Sequence, residues 1–262
     1  MPLISVIICT RNRRELVVRA IESVLAQQCV NVEVIVVDDC SDDGTSDALL
    51  EQYGERISVI RLHENKGVAY ATNRGFGRSK GEFLALLGDD DYWTDTEKLQ
   101  KQLAMFEVGG ARLGVVGTWW TDIAGANETY AREPEEPENW ASKLLQGGGV
   151  ICGSTPLISR VAWEAAGGLD ERMPRGTDSD LFRRIILVGY SGRILREHTT
   201  VVDTSHGLSR MTTGRGIAEA RRHALVNGYL LWKYRRQYLR HPKALTSRAK
   251  QLILAPLRAL IR

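Results

Sequence analysis

Short apolar runs rich in Val, Ile and Leu alternate with longer stretches of helical spacing through the first part of the chain. Residues 5–9, 32–37, 57–62 and 83–87 are too short for helices and read as buried strands. Residues 14–27 place Leu16, Ala20 and Val24 at helical intervals, and residues 45–53 and 67–79 also read as helices. Strands alternating with helices of this length predict an α/β fold with a mostly parallel, doubly wound sheet. Further on, a helix is expected over 94–109 and a strand over 114–121. A strand is also expected over 150–153, after the break at Gly147, Gly148 and Gly149. Residues 160–166 form a short predicted helix stopped by Gly167 and Gly168, and 178–187 a further helix with acids at its start. The acidic, Pro-rich stretch 127–139 is expected to be a mobile surface loop. Residues 245–261 are amphipathic. Leu245, Ala249, Leu252, Ile253, Leu257 and Leu260 share one face, Arg248, Arg258 and Arg262 lie opposite, and Pro256 should kink the helix.

Charge divides the chain. Residues 204–262 hold 13 Lys/Arg and one acid, Glu219, whereas 1–203 hold 22 bases and 31 acids. The two parts therefore meet different partners. Apolar content of 43% and charged content of 26% are those of a globular protein, and no apolar run is long enough for a membrane span. The start, Met1 to Ser5, lacks a basic leader, so no secretory signal is expected. Cys9, Cys29, Cys40 and Cys152 are scattered without a CxxC pair, which suits reduced thiols in a cytoplasmic protein.

Candidate chemistry concentrates at strand ends. Asp89, Asp90 and Asp91 directly follow an apolar run. Three adjacent carboxylates repel one another, and a divalent Mg²⁺ or Mn²⁺ shared with a substrate diphosphate would relieve that. A solvated acidic loop capping the next helix is the plainer alternative. Thr10, Arg11, Asn12 and Arg13 occupy the first strand-to-helix turn, where backbone N–H groups attract anions and Arg13 can add a bond to phosphate. Asp38 and Asp39 end the second strand, and a carboxylate there can accept from the imide N–H of a pyrimidine or cap its own turn. Asp178 opens a helix, as a proton acceptor or a plain cap.

These segments, in this order, resemble the family 2 glycosyltransferases of the GT-A fold. The resemblance rests on residues 4–13, 34–45, 65–67 with 71–75, 81–91, and 167–171 with 178–181. It implies a Rossmann-like GT-A domain over 1–208, with a nucleotide-binding half (1–93) and an acceptor-binding half (94–208). Residues 209–262 would be a basic amphipathic helical extension. It implies an inverting, metal-dependent transfer from a nucleotide-diphosphate sugar, UDP-linked on the reading of Asp39, to a hydroxyl of a saccharide or lipid-linked glycan in surface polysaccharide biosynthesis. By resemblance Asp178 is the catalytic base. Thr10, Arg11, Asn12, Arg13, Asp39, Asn73 and Asp89 contact the nucleotide, and Asp90, Asp91 and His206 belong to the metal site. Two positions depart from the family pattern. Gly88 stands where the first Asp of the Asp-x-Asp-Asp motif falls, and Thr177 replaces the Glu before the catalytic Asp. Trp119 and Trp120 lie where the acceptor side forms, and serve a sugar face or the core.

The basic tail suits either an interfacial anchor on anionic lipid, at the inner face of the cell membrane, or a helix packed on the domain or on a second copy in a homodimer. Nucleic acid is not expected as a partner, because the tail has no recognised binding module. A nucleotidyltransferase would need a Gly-rich loop with Lys that the chain lacks. A non-catalytic nucleotide-sugar-binding protein is the alternative from outside enzymology.

Overall fold

A computed structural model describes residues 1–125, 128–147, 149–206 and 217–261. The alternation read from the sequence is present: β1 (Leu3–Thr10), α1 (Arg14–Leu25), β2 (Asn31–Asp38), α2 (Thr45–Tyr53), β3 (Ser58–Arg61), α3 (Val68–Arg78) and β4 (Phe83–Gly88). β1 pairs in parallel with β2 and β4, and β2 with β3. Buried Val and Ile on both faces of these strands explain their uninterrupted apolar runs. One face packs Ile4, Val6 and Ile8 against Val17, Ile21 and Leu49. The other packs Ile7, Ile35 and Val37 against Ala71 and Phe76.

Next come β5 (Tyr92–Trp93), α4 (Lys98–Gly109), β6 (Leu113–Ile123), β7 (Thr129–Arg132), α5 (Trp140–Gln146), β8 (Leu157–Ser159), α6 (Arg160–Ala166), α7 (Thr177–Leu187) and β9 (Ser191–Asp203). The strand order is β3-β2-β1-β4-β8-β6-β9-β5, with β7 on β6. The sheet is mixed beyond β4, where β8 runs antiparallel.

Three expectations in this half need correction, and one strand was not expected. The helix expected from residue 94 starts at Lys98, because Tyr92–Trp93 first pairs with β9 and the Thr94 N–H donates to the Thr199 carbonyl at 2.9 Å. Residues 150–153 are not a strand; β8 takes that place in the sheet. The stretch 127–139 contains β7, and its acids are anchored. Glu136 accepts from Arg193 at 3.1 Å, Glu135 from Arg196 at 2.7 Å, and Glu133 lies 2.9 Å from His198. β9 itself was not expected, because those charged residues break its apolar pattern and their partners are distant in sequence. Ala126, Asn127 and Gly148 lie outside the described residues.

α8 (Ile217–Lys233), α9 (Arg235–Arg240) and α10 (Pro242–Ile261) complete the chain. α10 packs through the face that bears Ala244 and Arg248, and its Leu/Ile face is largely left outward. Ala244 and Arg248 are buried, whereas Leu245, Ile253 and Leu254 are exposed. The reason lies at the end of α5, whose last carbonyls lack helical partners. Arg248 donates to the Leu145 carbonyl from Nε at 3.3 Å and Nη2 at 3.1 Å, and Gln251 donates to the Gln146 carbonyl at 2.9 Å. The helix runs through Pro256.

Candidate active site

β4 delivers Asp89, Asp90 and Asp91 to the carboxyl edge of the sheet, and all three are buried. Cations and donors from other elements offset their repulsion. Arg13, at the start of α1, places Nη1 at 2.7 Å from Asp89 and 3.0 Å from Asp90. Arg19, two turns into α1, donates to the Asp90 carbonyl at 2.8 Å and pairs with Asp203 at 2.8 Å. His206 Nε2 lies 3.3 Å from Asp90 Oδ2. Burial pushes the Asp89 carboxyl up, Arg13 opposes the rise and Asp90 adds to it, with a net raised value.

Asp91 has a different part. Its Oδ2 accepts from the Ser154 hydroxyl and its Oδ1 from the Asp203 N–H at 3.1 Å. It thus ties the carboxylate turn to the end of β9. The departure at Gly88 has a steric cause. A Cβ there would lie 2.9 Å from Asp91 Oδ2, 3.1 Å from Asp90 Oδ1 and 3.2 Å from Ser154 Oγ. The hydroxyl of Ser154 also accepts from the Gly88 N–H at 3.0 Å, so the glycine makes room for that crossing.

The expected nucleotide edge is partly assembled. Thr10 ends β1, buried, and Arg11 is exposed on the following turn. Asn12 holds a left-handed backbone (φ 53°), and its Oδ1 accepts from the Asp42 N–H at 2.9 Å, joining the β1 and β2 turns. Asp38 accepts from the Ser41 N–H and the Ser46 hydroxyl, so it, and not Asp39, caps the second turn. Asp39 accepts from the Lys66 and Gly67 N–H groups, each at 2.8 Å, which fixes its carboxylate at the sheet edge. Asn73 is bonded to the turn after α6. Its amide donates to the Leu169 carbonyl at 3.0 Å and to Glu171 at 2.7 Å, and its oxygen accepts from the Leu169 N–H at 2.9 Å. With both ends of the amide so used, it locks the 169–171 turn to α3.

Asp178 sits in the first turn of α7, and a Cβ on Gly153 would meet its Oδ2 at 2.8 Å. Burial raises its carboxyl above the ordinary range, against the Ser179 N–H bond that lowers it. The Cys152 thiol is pushed up by burial and then by Asp91 and Asp178, so both carboxylates act on one side chain. Residues 152–154 therefore form the floor that joins the carboxylate turn to Asp178. Trp119 and Trp120 donate from Nε1 to the Pro134 carbonyl at 3.2 Å and to Asp122 at 2.9 Å, and Trp119 packs on the core.

Several of these residues escaped the sequence reading. Ser154, Gly153, Asp203 and Arg19 carry no motif. The fully buried Asp180 was read only as a dipole partner. It accepts from Lys233 at 2.8 Å, Tyr234 at 2.6 Å and Arg184 at 2.8 Å, while Lys233 also reaches Asp170 at 2.6 Å. α8 is thereby keyed to the helix that bears Asp178.

Among the described residues no three carboxylate, imidazole or thiolate groups form a closed cation site. Asp90 and His206 offer one oxygen and one nitrogen side by side. Such a pair fits Mn²⁺ or Mg²⁺ when diphosphate oxygens and water supply the other ligands. Ser209, which with His206 resembles the late His-x-x-Ser element of the family, lies outside the described residues.

The family described as Glycosyl transferase family 2 matches residues 5–163. TuaG of Bacillus subtilis (strain 168), named as a teichuronic acid biosynthesis glycosyltransferase, is 46% identical over 105 residues, 39% of this chain and 41% of that one. WcaA of Escherichia coli (strain K12), named as a colanic acid biosynthesis glycosyl transferase, is 30% identical over 222 residues, 81% and 76% of the two chains. WfaP of Escherichia coli, a UDP-Glc:alpha-D-GlcNAc-diphosphoundecaprenol beta-1,3-glucosyltransferase, is 36% identical over 107 residues, 41% and 42%. The match thus spans about two fifths of TuaG. Among solved structures, S. aureus TarS 1–349 in complex with UDP-GlcNAc gives a TM-score of 0.69 at 19% identity, covering 88% of this chain and 67% of that one. The mannosyltransferase PcManGT from Pyrobaculum calidifontis, with GDP-Man and Mn2+, gives 0.65 at 20%, covering 97% and 75%. At these identities the likeness is one of fold, the curled α/β sheet of GT-A enzymes.

Proposed function

The chain belongs to glycosyl transferase family 2, and we propose on that premise that it moves a sugar from a nucleotide-diphosphate donor, UDP-linked, to a hydroxyl of a lipid-linked glycan during surface polysaccharide synthesis. One observation carries the reading. The carboxylate turn and Asp178 meet over residues 152–154, with Ser154 on Asp91 and Gly153 against Asp178.

In this reading Asp39, already fixed by two backbone donors, offers its remaining lone pairs to the uracil imide. The turn from Thr10 to Arg13 receives the diphosphate, and Arg13 exchanges a carboxylate for a phosphate oxygen. Asp90 and His206 are the residues that would hold Mn²⁺ or Mg²⁺, whose charge would neutralise the diphosphate as it leaves. The acceptor hydroxyl attacks the anomeric carbon while Asp178 takes its proton. The bond to the diphosphate breaks, its electron pair stays with the leaving oxygen, and the anomeric configuration inverts. The raised carboxyl of Asp178 makes it a stronger base than an exposed Asp.

The acceptor is inferred from the tail. Trp232 is 60% exposed, Leu225 67% and Ile253 64%, on helices that also carry most of the chain's excess basic charge. Such a surface suits the anionic inner face of a membrane, where a lipid-linked acceptor is held. Among the described residues no helix is long and apolar enough to cross it. Asp178→Asn should retain donor binding and lose transfer; full transfer by that variant would remove Asp178 as the base.

A further inference from the structure

A cavity of about 370 Å³ lies where α8 and α10 meet the start of α7. Its wall includes Gly176, Ser179 and Arg183 of the α7 region, Val226 of α8, and Arg248 of α10. Among the described residues that line it there is no Asp or Glu. Arg183 and Arg248 are buried, 3% and 5% exposed. The bonds of Arg248 go to neutral oxygens: the Leu145 carbonyl, Asn227 Oδ1 at 3.1 Å and Gln251 Oε1 at 3.1 Å. Arg183 has Asp180 at 3.5 Å, but that carboxylate already serves Arg184 and Lys233. Burial lowers the Arg248 guanidinium, and repulsion from Arg183 lowers it further. Two buried guanidiniums thus line one cavity, and among the described residues the carboxylate near them, Asp180, is shared with Arg184 and Lys233, an arrangement that an added anion stabilises.

We propose that this cavity binds the diphosphate of the lipid-linked acceptor, an inference that rests on the transferase reading above. Position argues for the acceptor over the donor. Gly176 and Ser179 bracket Asp178 in the first turn of α7, while the Asp178 carboxylate itself turns toward Gly153 and the carboxylate floor. A sugar whose hydroxyl reaches Asp178 would carry its own diphosphate toward Arg183 and Arg248. The same two helices present Leu225, Trp232, Ile253 and Leu254 outward, so an attached hydrocarbon chain has apolar surface to follow. Forked guanidiniums suit the oxygens of a diphosphate.

The test uses the full chain in EDTA, so that diphosphate does not enter the site through a cation at Asp90. Farnesyl diphosphate, inorganic pyrophosphate and farnesol are titrated by calorimetry, with the Mn²⁺–UDP thermal shift measured on each protein. Farnesyl diphosphate should bind most tightly and farnesol not saturably. Arg248→Gln removes one charge-assisted anchor and should weaken farnesyl diphosphate about tenfold or more. Ser179→Glu, on a partly exposed helix start where a carboxylate is tolerated, should do the same by repulsion. Neither change should move the UDP shift. Farnesyl diphosphate binding that is absent, or indifferent to both variants, overturns the proposal. Pyrophosphate binding as tightly as farnesyl diphosphate assigns the cavity to a free anion and overturns the lipid assignment. In either case an intact UDP shift leaves the donor reading standing, whereas its loss in the unaltered protein counts against that reading instead.

Discussion

Replacing Lys233 by Met should loosen the tail from the catalytic helix. Lys233 Nζ lies 2.6 Å from Asp170 and 2.8 Å from Asp180, and its side chain is only 14% exposed. Removing one member of a buried ion pair costs roughly 3–5 kcal/mol, because the other charge is left in a poor solvent. Asp180 keeps Arg184 and Tyr234, and Asp170 keeps the exposed Arg172, so the low end applies, about 3 kcal/mol. For a chain of this size that corresponds to a fall in Tm of roughly 6–10 °C. Burial works to raise the Asp180 carboxyl, yet Arg184, Lys233 and Tyr234 together hold it below the ordinary range. A carboxyl lowered in the folded state stabilises above its unfolded value, near pH 4, and that contribution fades as pH falls through the folded value. The variant should therefore lose less stability on acidification than the parent. Urea unfolding of both proteins from pH 7 down to about pH 3 measures both effects. A loss under about 0.5 kcal/mol, the size of a surface pair, would refute the keying of α8 to α7 through this lysine.

Lys98 is fully buried, bonded to Gln102 at 2.7 Å and the Thr155 carbonyl at 3.0 Å, and burial pushes its ammonium down to about 7. Between that value and about 10.4 the unfolded chain binds a proton that the folded chain lacks, so this residue's contribution to stability rises with pH. The stability of the parent relative to Lys98→Met should grow from pH 7 to pH 10, by at most roughly 1.4 kcal/mol per unit; parallel curves would refute this. Trp232→Ser combined with Leu225→Ser should reduce sedimentation with anionic vesicles while leaving neutral vesicles unaffected, and equal sedimentation would exclude this surface as the membrane contact.

The legible part of the fold was the half built from local patterns. β1 to β4 and the helices between them bury neighbours in sequence order, so apolar periodicity located them to within a few residues. β9 and the acidic stretch before α5 were not legible, because Arg193 and Arg196 find Glu136 and Glu135 some sixty positions away. The same applies to the site. Asp90, Asp178 and His206 lie in motifs with recognisable chemistry, and the fold brings Asp90 and His206 into contact. Ser154 and Arg19 owe their roles entirely to a distant partner. Which face of α10 packs was not legible, because periodicity cannot show that the carbonyl ends of α5 attract Arg248 and Gln251. The bonds of Asn73 to Leu169 and Glu171 were likewise not legible, since a motif position gives no account of partners nearly a hundred residues away.

The most direct test is the thermal shift of the full chain with UDP, GDP, CDP and ADP, each with and without Mn²⁺, on the parent protein and on His206→Ala. The account predicts stabilisation by UDP that requires the metal, approaching 2.7 kcal/mol at about a hundredfold excess over Kd, and weakened in the variant. Preference for another nucleotide would contradict the role of Asp39, and no shift with any of them would contradict the donor site itself.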